Sequence, residues 1–192
     1  YQNDARELGY NPLRARELLD EAGVEFGFTM DVWAIPVQRA YNPNAMKMAQ
    51  LIKSYLNQVG INLNIVSYDW NIFRDNLNVG MHDSVLIGWT ADNGDPDNFY
   101  RPLLTCDAIP SGTNRAMWCN EAYDDLIQQA LLTDDIEQRT TIYQQANELL
   151  FEQMPLMPIA HAYQYQAVRK DIQGMVINPF GGIRFDNVER VP

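Results

Sequence analysis

Apolar positions follow two different periods along the first part of the chain. They recur at helical spacing between residues 12 and 22 and again between residues 43 and 59, whereas they alternate with other residues in "FGFTMDVWAI" and "INLNIVSY". The first period is typical of amphipathic helices and the second of strands. A strand, a helix and a strand in this order predict parallel strands with a right-handed crossover.

Capping residues indicate where the helices begin and end. Asn11 and Pro12 fit the N-cap and first position of a helix that ends at Gly23. Asn42 and Pro43 fit the same two positions of the second helix. The chain opens close to a helix, without an initiator Met or a leader-like segment. We therefore expect that a leader was removed or that the chain is a piece of something longer.

The remaining pattern extends this α/β unit and then changes character. We predict a short helix in "WNIFRDNLNVG", a buried strand in "DSVLIGW", and two longer helices in "NEAYDDLIQQALL" and "DIEQRTTIYQQANELLFEQM". The segments "LMPIAHAY" and "YQAVRK" are predicted to be extended, and residues 171–192 contain strand-like pieces broken by turns. The sequence thus predicts an α/β lobe followed by a β-rich tail.

Two connections of the predicted sheet are candidate ligand sites. Open α/β sheets bind ligands in the crevice outside the carboxyl ends of their strands. Those ends lead into "PVQRAYNPN", after the first strand, and into "TADNGDPDNF", after "SVLIGW". The second connection is acidic and flanked by aromatic residues, so a metal site, catalytic carboxylates and a ligand anchor are all interpretations to weigh.

The acidic connection fits neither a metal site nor a catalytic site well. A calcium loop counted from Asp92 requires a glycine and an acid where this sequence has Asp97 and Leu103. A hydrolase that uses the Asp92–Asp97 cluster is the alternative function, but the sequence offers no nucleophile–base pair or metal set. We therefore predict a protein that is not an enzyme and that needs neither a metal nor a cofactor.

A two-ended ligand clamp explains the two connections better. The carboxylate of Asp92, which follows Trp89, suits an ammonium group under aromatic cover. Arg39, in the other connection, suits a carboxylate because its planar guanidinium can bond both oxygens. Together the two side chains match the ends of a short peptide. The alternative interpretation is that both are structural or surface charges.

Charge and cysteine content narrow the partners and the compartment. The net charge of −11 argues against nucleic acid, whose binding requires a basic surface. Cys106 and Cys119 are separated by a turn-rich segment and lie far from both histidines. A disulfide is favoured over free thiols, and it would indicate an oxidising compartment.

Specific motifs resemble a known family. "PVQRAYNPN", "GWTADNGDPDNF" and the Cys106–Cys119 loop ending in "WCN" resemble the peptide-binding periplasmic proteins of ABC importers, the dipeptide/oligopeptide-binding family (solute-binding family 5). "YNPLRARELLDEAG" and "FGFTMDVWAIP" fit the carboxy-terminal lobe of that family. Two subgroups compete. One binds dipeptides and is implicated in haem uptake; the other, SapA, transports antimicrobial peptides and is favoured by "RPLLTCDAI" and "INPFGGIRF".

The resemblance implies roles for individual residues. Arg39 would hold the carboxylate of a peptide, Asp92 would hold its amino terminus, and Cys106 and Cys119 match the disulfide of the family. Backbone groups of the "GWT" segment would bond the peptide main chain. The candidate ligand-binding residues are Asp92, Arg39, Trp89, Thr90, Gly88 and Tyr41.

The resemblance also implies a fold, a domain organisation and partners. It predicts a type II periplasmic-binding-protein lobe, with a mixed sheet flanked by helices. Residues 1–163 would form the carboxy-terminal ligand-binding lobe, and residues 164–192 would return to a missing N-terminal lobe. The expected partners are a peptide, with haem as an alternative ligand, and an inner-membrane ABC permease. The expected location is the periplasm of a Gram-negative bacterium.

Overall fold

The computed structural model describes residues 9–161, 163, 165–178 and 180–191. Its helices are α1 (Pro12–Glu21), α2 (Ala45–Gln58), α3 (Trp70–Asn78), α4 (Asp97–Leu104), α5 (Glu121–Leu131) and α6 (Ile136–Gln153), with a 3₁₀ turn at Cys106–Ala108. Its strands are β1 (Phe28–Ala34), β2 (Ile61–Val66), β3 (Ser84–Leu86), β4 (Ile172–Gln173), β5 (Val176–Ile177), β6 (Ile183–Arg184) and β7 (Glu189–Arg190).

A parallel sheet with the strand order β2–β1–β3 forms the centre of the fold. Phe28 of β1 pairs with Ile61 of β2, and both neighbours run parallel to β1. The last residues of β1 are buried on both faces, as is usual for the middle strand of a parallel sheet; they are Val32, Trp33 and Ala34. The predicted α/β class is confirmed. The three described strands of this sheet are all parallel, where a mixed sheet was expected.

Two apolar clusters hold the elements together. The sheet core joins the sheet to α2 and α3 through Ala49, Leu63 and Phe73, among others. The helical core joins α4, α5 and α6 through residues that include Tyr123 and Ile127. Burying one large side chain of this kind contributes about 1.5–3 kcal/mol. The acidic connection lies between the two cores in the chain, since it runs from β3 to α4.

Capping explains one correct and one incorrect helix start. α1 begins as predicted, and the side chain of its N-cap Asn11 accepts a backbone hydrogen bond. α2 begins at Ala45 with Asn44 as its N-cap, so the predicted N-cap at Asn42 and start at Pro43 were wrong. Asn42 instead closes a tight turn through two backbone hydrogen bonds with Arg39, each 3.1 Å long.

Several other elements differ from the prediction. α4 was not predicted, and β3 is only three residues long. The described residues of "LMPIAHAY" and "YQAVRK" carry no strand, while the tail forms two small antiparallel pairs, β4–β7 and β5–β6. The predicted approach to a helix in residues 1–8 lies outside the described residues, as does residue 164 at the predicted domain boundary.

Cys106 and Cys119 form the predicted disulfide, with their Cα atoms 4.5 Å apart. Asn114 lies fully buried inside the loop that the disulfide closes. Its amide nitrogen donates hydrogen bonds to the carbonyls of Thr105 at 3.0 Å and Trp118 at 2.8 Å. The loop is therefore fixed by a covalent link and by a buried polar side chain.

Candidate functional site

The two predicted connections begin at the same end of the sheet, where the carboxyl ends of β1 and β3 lie. β1 and β3 are adjacent and parallel, and their last residues, Ala34 and Leu86, pair with each other. The connection after β1 and the connection after β3 therefore begin side by side at the carboxyl ends of their strands. This is the place where open α/β sheets bind ligands.

Tyr41 and Gly88 bring the two connections into contact. A methyl group on Gly88 would lie 2.7 Å from Cγ and 2.9 Å from Cε2 of the Tyr41 ring, which is too close for any side chain. Only glycine allows the ring to approach the backbone in this way. Tyr41 also packs against the sheet core. The contact sets how far apart the two connections lie.

The guanidinium of Arg39 has no anionic partner among the described residues. The tight turn with Asn42 fixes its backbone, and its Cζ lies 4.5 Å from the centre of the Trp70 ring. Such a cation–π contact contributes about 0.5–2 kcal/mol and orients the guanidinium without neutralising it. Among the residues that the structure describes, no carboxylate forms an ion pair with Arg39. The group is free to receive an anion.

The carboxylate of Asp92 has no cationic partner in the part of the chain that the structure describes. Its backbone N–H donates to Oδ1 of Asn98 at 2.9 Å, which fixes the main chain, and the residue is exposed. No hydrogen bond or ion pair to its carboxylate is formed within the described ranges, and Arg39 does not pair with it. The two charges that were predicted to form a clamp are thus both unpaired within the described ranges.

The other acids of the connection are committed to structure. Oδ1 of Asn93 accepts a hydrogen bond from the backbone of Asp95, and Oδ1 of Asp95 accepts one from the backbone of Asp97, each 2.9 Å long. In such Asx turns, the side-chain oxygen accepts the hydrogen bond that a backbone carbonyl accepts in an ordinary turn. Oδ2 of Asp97 accepts from Nε of Arg101 at 3.0 Å. The Asp92–Asp97 cluster therefore does not present a set of free carboxylates for hydrolysis.

A second arginine, from a distant helix, holds Asp95. Nη1 and Nη2 of Arg139 in α6 donate to the two carboxylate oxygens of Asp95 at 2.8 and 2.7 Å. This bidentate bond lowers the pKa of the Asp95 carboxyl and raises the pKa of Arg139. The pair connects the acidic connection to the helical core.

The segment between β3 and Asp92 has backbone groups without partners among the described residues. In the described structure, the backbone N–H and C=O groups of Gly88, Trp89 and Thr90 form no hydrogen bonds. The segment continues β3, which is an edge strand of the sheet. Unpaired groups at a sheet edge can accept an extended chain as an added strand. Thr90 is exposed, and Trp89 is half-buried with an indole nitrogen that has no hydrogen-bond partner among the described residues.

Three residues near the site were missed as site residues by the sequence analysis. Trp70 lies under Arg39, Arg139 binds Asp95, and Cζ of Phe180 from the tail lies 3.3 Å from where a side chain on Gly94 would begin. Each contact is made between distant parts of the chain, so no local pattern indicates it. The pair of Arg139 and Asp95, for example, is 44 residues apart.

Neither a metal centre nor a membrane span is found in the described ranges. No group of three or more His, Cys, Asp or Glu side chains there could hold a metal ion. No helix of the described structure is both long enough and apolar enough to cross a membrane.

The described residues form an α/β lobe with charges of both signs, unpaired among these residues, in the connections that follow the carboxyl ends of its strands. Residues 1–111 match the sequence model of the bacterial extracellular solute-binding proteins, family 5 Middle. The chain belongs to this family, which confirms the resemblance. The family is one of solute-binding proteins and not of enzymes.

The relatives that the chain resembles are longer than the chain itself. It is 44% identical over 188 residues to the dipeptide-binding protein of Escherichia coli (strain K12), covering 98% of this chain and 35% of that protein. It is 39% identical over 190 residues to the peptide transport periplasmic protein SapA of Salmonella typhimurium, covering 99% and 35%. The chain thus spans about a third of the length of these relatives.

A solved structure has the same fold at higher identity. The crystal structure of the dipeptide binding protein from Pseudoalteromonas sp. SM9913 in complex with Met-Leu matches with a TM-score of 0.85 and 49% identity, covering 94% of this chain and 36% of that one. The identities to these two dipeptide-binding proteins, 44% and 49%, exceed the 39% identity to SapA. These values do not favour the SapA subgroup, and the subgroup stays a prediction.

Proposed function

We propose that the chain is the ligand-binding lobe of a peptide-binding protein that serves an ABC importer. The observation that carries this proposal is the pair of unpaired charges, Arg39 and Asp92, at one edge of the sheet. An unmodified peptide has one ammonium and one carboxylate end, and the two side chains supply the complementary charges.

Asp92 holds the amino terminus in this proposal. Its carboxylate has no competing partner among the described residues, and its backbone is fixed by Asn98. A hydrogen bond between charged groups contributes about 1.5–3 kcal/mol. That energy is enough to distinguish a free amino terminus from a blocked one.

Arg39 holds the carboxylate or lines the way to it. Trp70 supports the guanidinium from one side and leaves its hydrogen-bond donors available. Tyr41 borders the same connection and, through its contact with Gly88, links it to the segment that would receive the ligand backbone. The unpaired backbone of residues 88–90 would bond the peptide main chain as an added strand.

The proposed mechanism requires a second lobe. Residues 1–163 would form one lobe, residues 164–192 would return to the other, and closure of the two around a hinge would enclose the peptide. The ligand would shift the population towards the closed form because it binds that form more tightly. We refer to this complete form as the two-lobed protein. It would act in the periplasm of a Gram-negative bacterium and deliver its ligand to an inner-membrane permease.

Short peptides are the ligands that we propose first. The identity to dipeptide-binding relatives and the two-ended arrangement of Arg39 and Asp92 support them. Longer cationic peptides and haem are the alternatives that the family resemblance raises. The net charge of −11 is compatible with a cationic ligand but does not select one.

Native mass spectrometry of the two-lobed protein purified from cells tests the proposal. We expect a co-purified mass, released on denaturation, that corresponds to short peptides. Bound haem or a long peptide would replace the dipeptide assignment while keeping the binding function. A protein that carries no ligand and binds none of a panel of di- and tripeptides in solution would contradict the proposed function.

A further inference from the structure

Arg139 uses every nitrogen of its guanidinium. Nη1 and Nη2 donate to the two oxygens of Asp95 at 2.8 and 2.7 Å, and Nη2 also donates to the Tyr143 hydroxyl at 3.2 Å. Nε donates to the backbone carbonyl of Ala130 at 2.9 Å. The guanidinium carbon lies 5.4 Å from the centre of the Tyr143 ring. A side chain with so many fixed partners has a single well-defined position.

These partners anchor Asp95 to a rigid support. Ala130 lies near the end of α5 and Tyr143 lies in α6, and both side chains are buried in the helical core. Arg139 is itself three-quarters covered, with 25% of its side chain exposed. The acidic connection is thus attached at one point to the packed helices, and not only to the end of β3.

A series of hydrogen bonds between nearby residues connects Asp95 to Asp92. The backbone N–H of Asp95 donates to Asn93, and the backbone N–H of Asp97 donates to Asp95. The backbone N–H of Asp92 in turn donates to the side chain of Asn98, in the first turn of α4. Fixing Asp95 therefore fixes the start of α4, and the start of α4 fixes the backbone of Asp92.

Among the described residues, the same contacts leave one acid of the connection unpaired. Asp95 is paired with Arg139 and Asp97 is paired with Arg101, whereas the carboxylate of Asp92 has no partner among the described residues. An ammonium group that approaches the connection therefore meets one uncompensated carboxylate and not three.

We propose that the Asp95–Arg139 pair is a positioning device for the amino-terminal anchor. It aims the Asp92 carboxylate at the ligand ammonium, and it removes Asp95 as a competing binding point. The inference rests on the proposed function, because it assigns Asp95 and Arg139 to the same site. Neither residue touches the ligand in this assignment. A purely structural pair would stabilise the lobe without affecting how the amino end of a ligand is recognised.

A double-mutant cycle in the two-lobed protein separates these roles. Calorimetry would measure the affinity of an unmodified dipeptide and of its N-acetylated form for the wild type, D95N, D92N and the double variant. We expect D95N to weaken binding of the unmodified dipeptide by about tenfold, because the connection no longer holds the Asp92 carboxylate in place and the two residues are coupled. We expect it to leave the affinity of the N-acetylated dipeptide unchanged, and to cost less than about twofold in the D92N background.

R139K and R101A are the further variants. R139K keeps a positive charge but loses the bidentate geometry, so it should follow D95N and replaces it if D95N fails to fold. R101A removes the other arginine pair of the connection, that with Asp97, and should keep the discrimination between unmodified and acetylated dipeptide.

Three results would overturn the inference: equal weakening of both peptides by D95N, a full additional loss in the D92N background, or no loss at all. A failure of the proposed function would give a different result. In that case the wild type binds neither peptide, and both the function and the positioning role are rejected.

Discussion

The ring of Tyr41 packs onto the backbone of Gly88, and this contact joins the connection that carries Arg39 to the connection that carries Asp92. A methyl group on Gly88 would come within 2.7 Å of the ring. The separation of the two unpaired charges therefore depends on a glycine that carries no charge itself. A ligand with charges at both ends would be sensitive to this separation.

Replacing Gly88 by alanine should weaken dipeptide binding by the two-lobed protein. The new methyl group displaces Tyr41 and the turn next to it, and overpacking of this kind costs about 1–3 kcal/mol. We expect a loss of affinity on the order of tenfold by calorimetry, together with a lower melting temperature. Gly9→Ala is the matched control, because no atom of the described residues lies within 4 Å of the added methyl group. Wild-type affinity for Gly88→Ala would show that the contact does not set the site.

Removing the disulfide should destabilise the loop behind α4. Replacing Cys106 and Cys119 together by serine opens a loop that spans 13 positions. The expected loss in the free energy of unfolding is about 3 kcal/mol, measured by urea denaturation. Reduction of the wild type by dithiothreitol should give a similar change, and the serine variant should not respond to the reductant. A variant as stable as the oxidised wild type would contradict this expectation.

The Asp95–Arg139 pair should make stability depend on pH in the acid range. Arg139 lowers the pKa of Asp95 in the folded state. The stabilisation is therefore fully present above the unfolded pKa of about 3.9 and is lost as the pH falls through the lower folded value. Because 41% of the Asp95 side chain is exposed, solvent screening limits its size to about 1 kcal/mol.

Urea unfolding of the wild type and of Asp95→Asn at two pH values measures this effect. We expect the wild type to be more stable than Asp95→Asn at about pH 7, and we expect this difference in stability to be smaller at about pH 3. Arg139→Gln should show the same convergence, since it removes the other half of the pair. A difference that stays constant between the two pH values would exclude an ionic origin.

The chain alone should bind dipeptides weakly. In the proposed mechanism it carries one wall of the site, and the energy of closure comes from contacts with both lobes. Calorimetry with the isolated chain is expected to give no detectable heat at concentrations that saturate the two-lobed protein. Micromolar binding by the isolated chain would mean that this lobe is sufficient and that the second lobe is not needed for affinity.

Local patterns predicted the elements that position the site. The alternation in β1 and β2, the stripe of α2 and the turn signals after each strand located Arg39 and Asp92 at one edge of a parallel sheet. α4 was missed because its segment follows a turn-rich stretch and contains Pro102, which disfavours a helix interior. The start of α2 was misplaced because Asn42 closes the Arg39 turn instead of capping the helix.

Contacts between distant residues could not be predicted from the sequence. Asp95 was one acid among several, and only the folded chain brings Arg139 onto it. No local pattern marks Trp70 as a site residue, because its position beneath Arg39 depends on how α3 packs beside the sheet. A surface charge and a site residue have the same sequence signal. What distinguishes Asp92 from its neighbours is that they have arginine or backbone partners.

The central claim is that Asp92 binds the amino terminus of a peptide ligand. The most direct measurement compares the dissociation constants of the two-lobed wild type and its Asp92→Asn variant for one unmodified dipeptide. Loss of a charge-assisted hydrogen bond of about 1.5–3 kcal/mol should raise the constant by roughly ten- to a hundredfold. An N-acetylated form of the same dipeptide should bind both proteins equally. An unchanged dissociation constant for the unmodified dipeptide would contradict the claim.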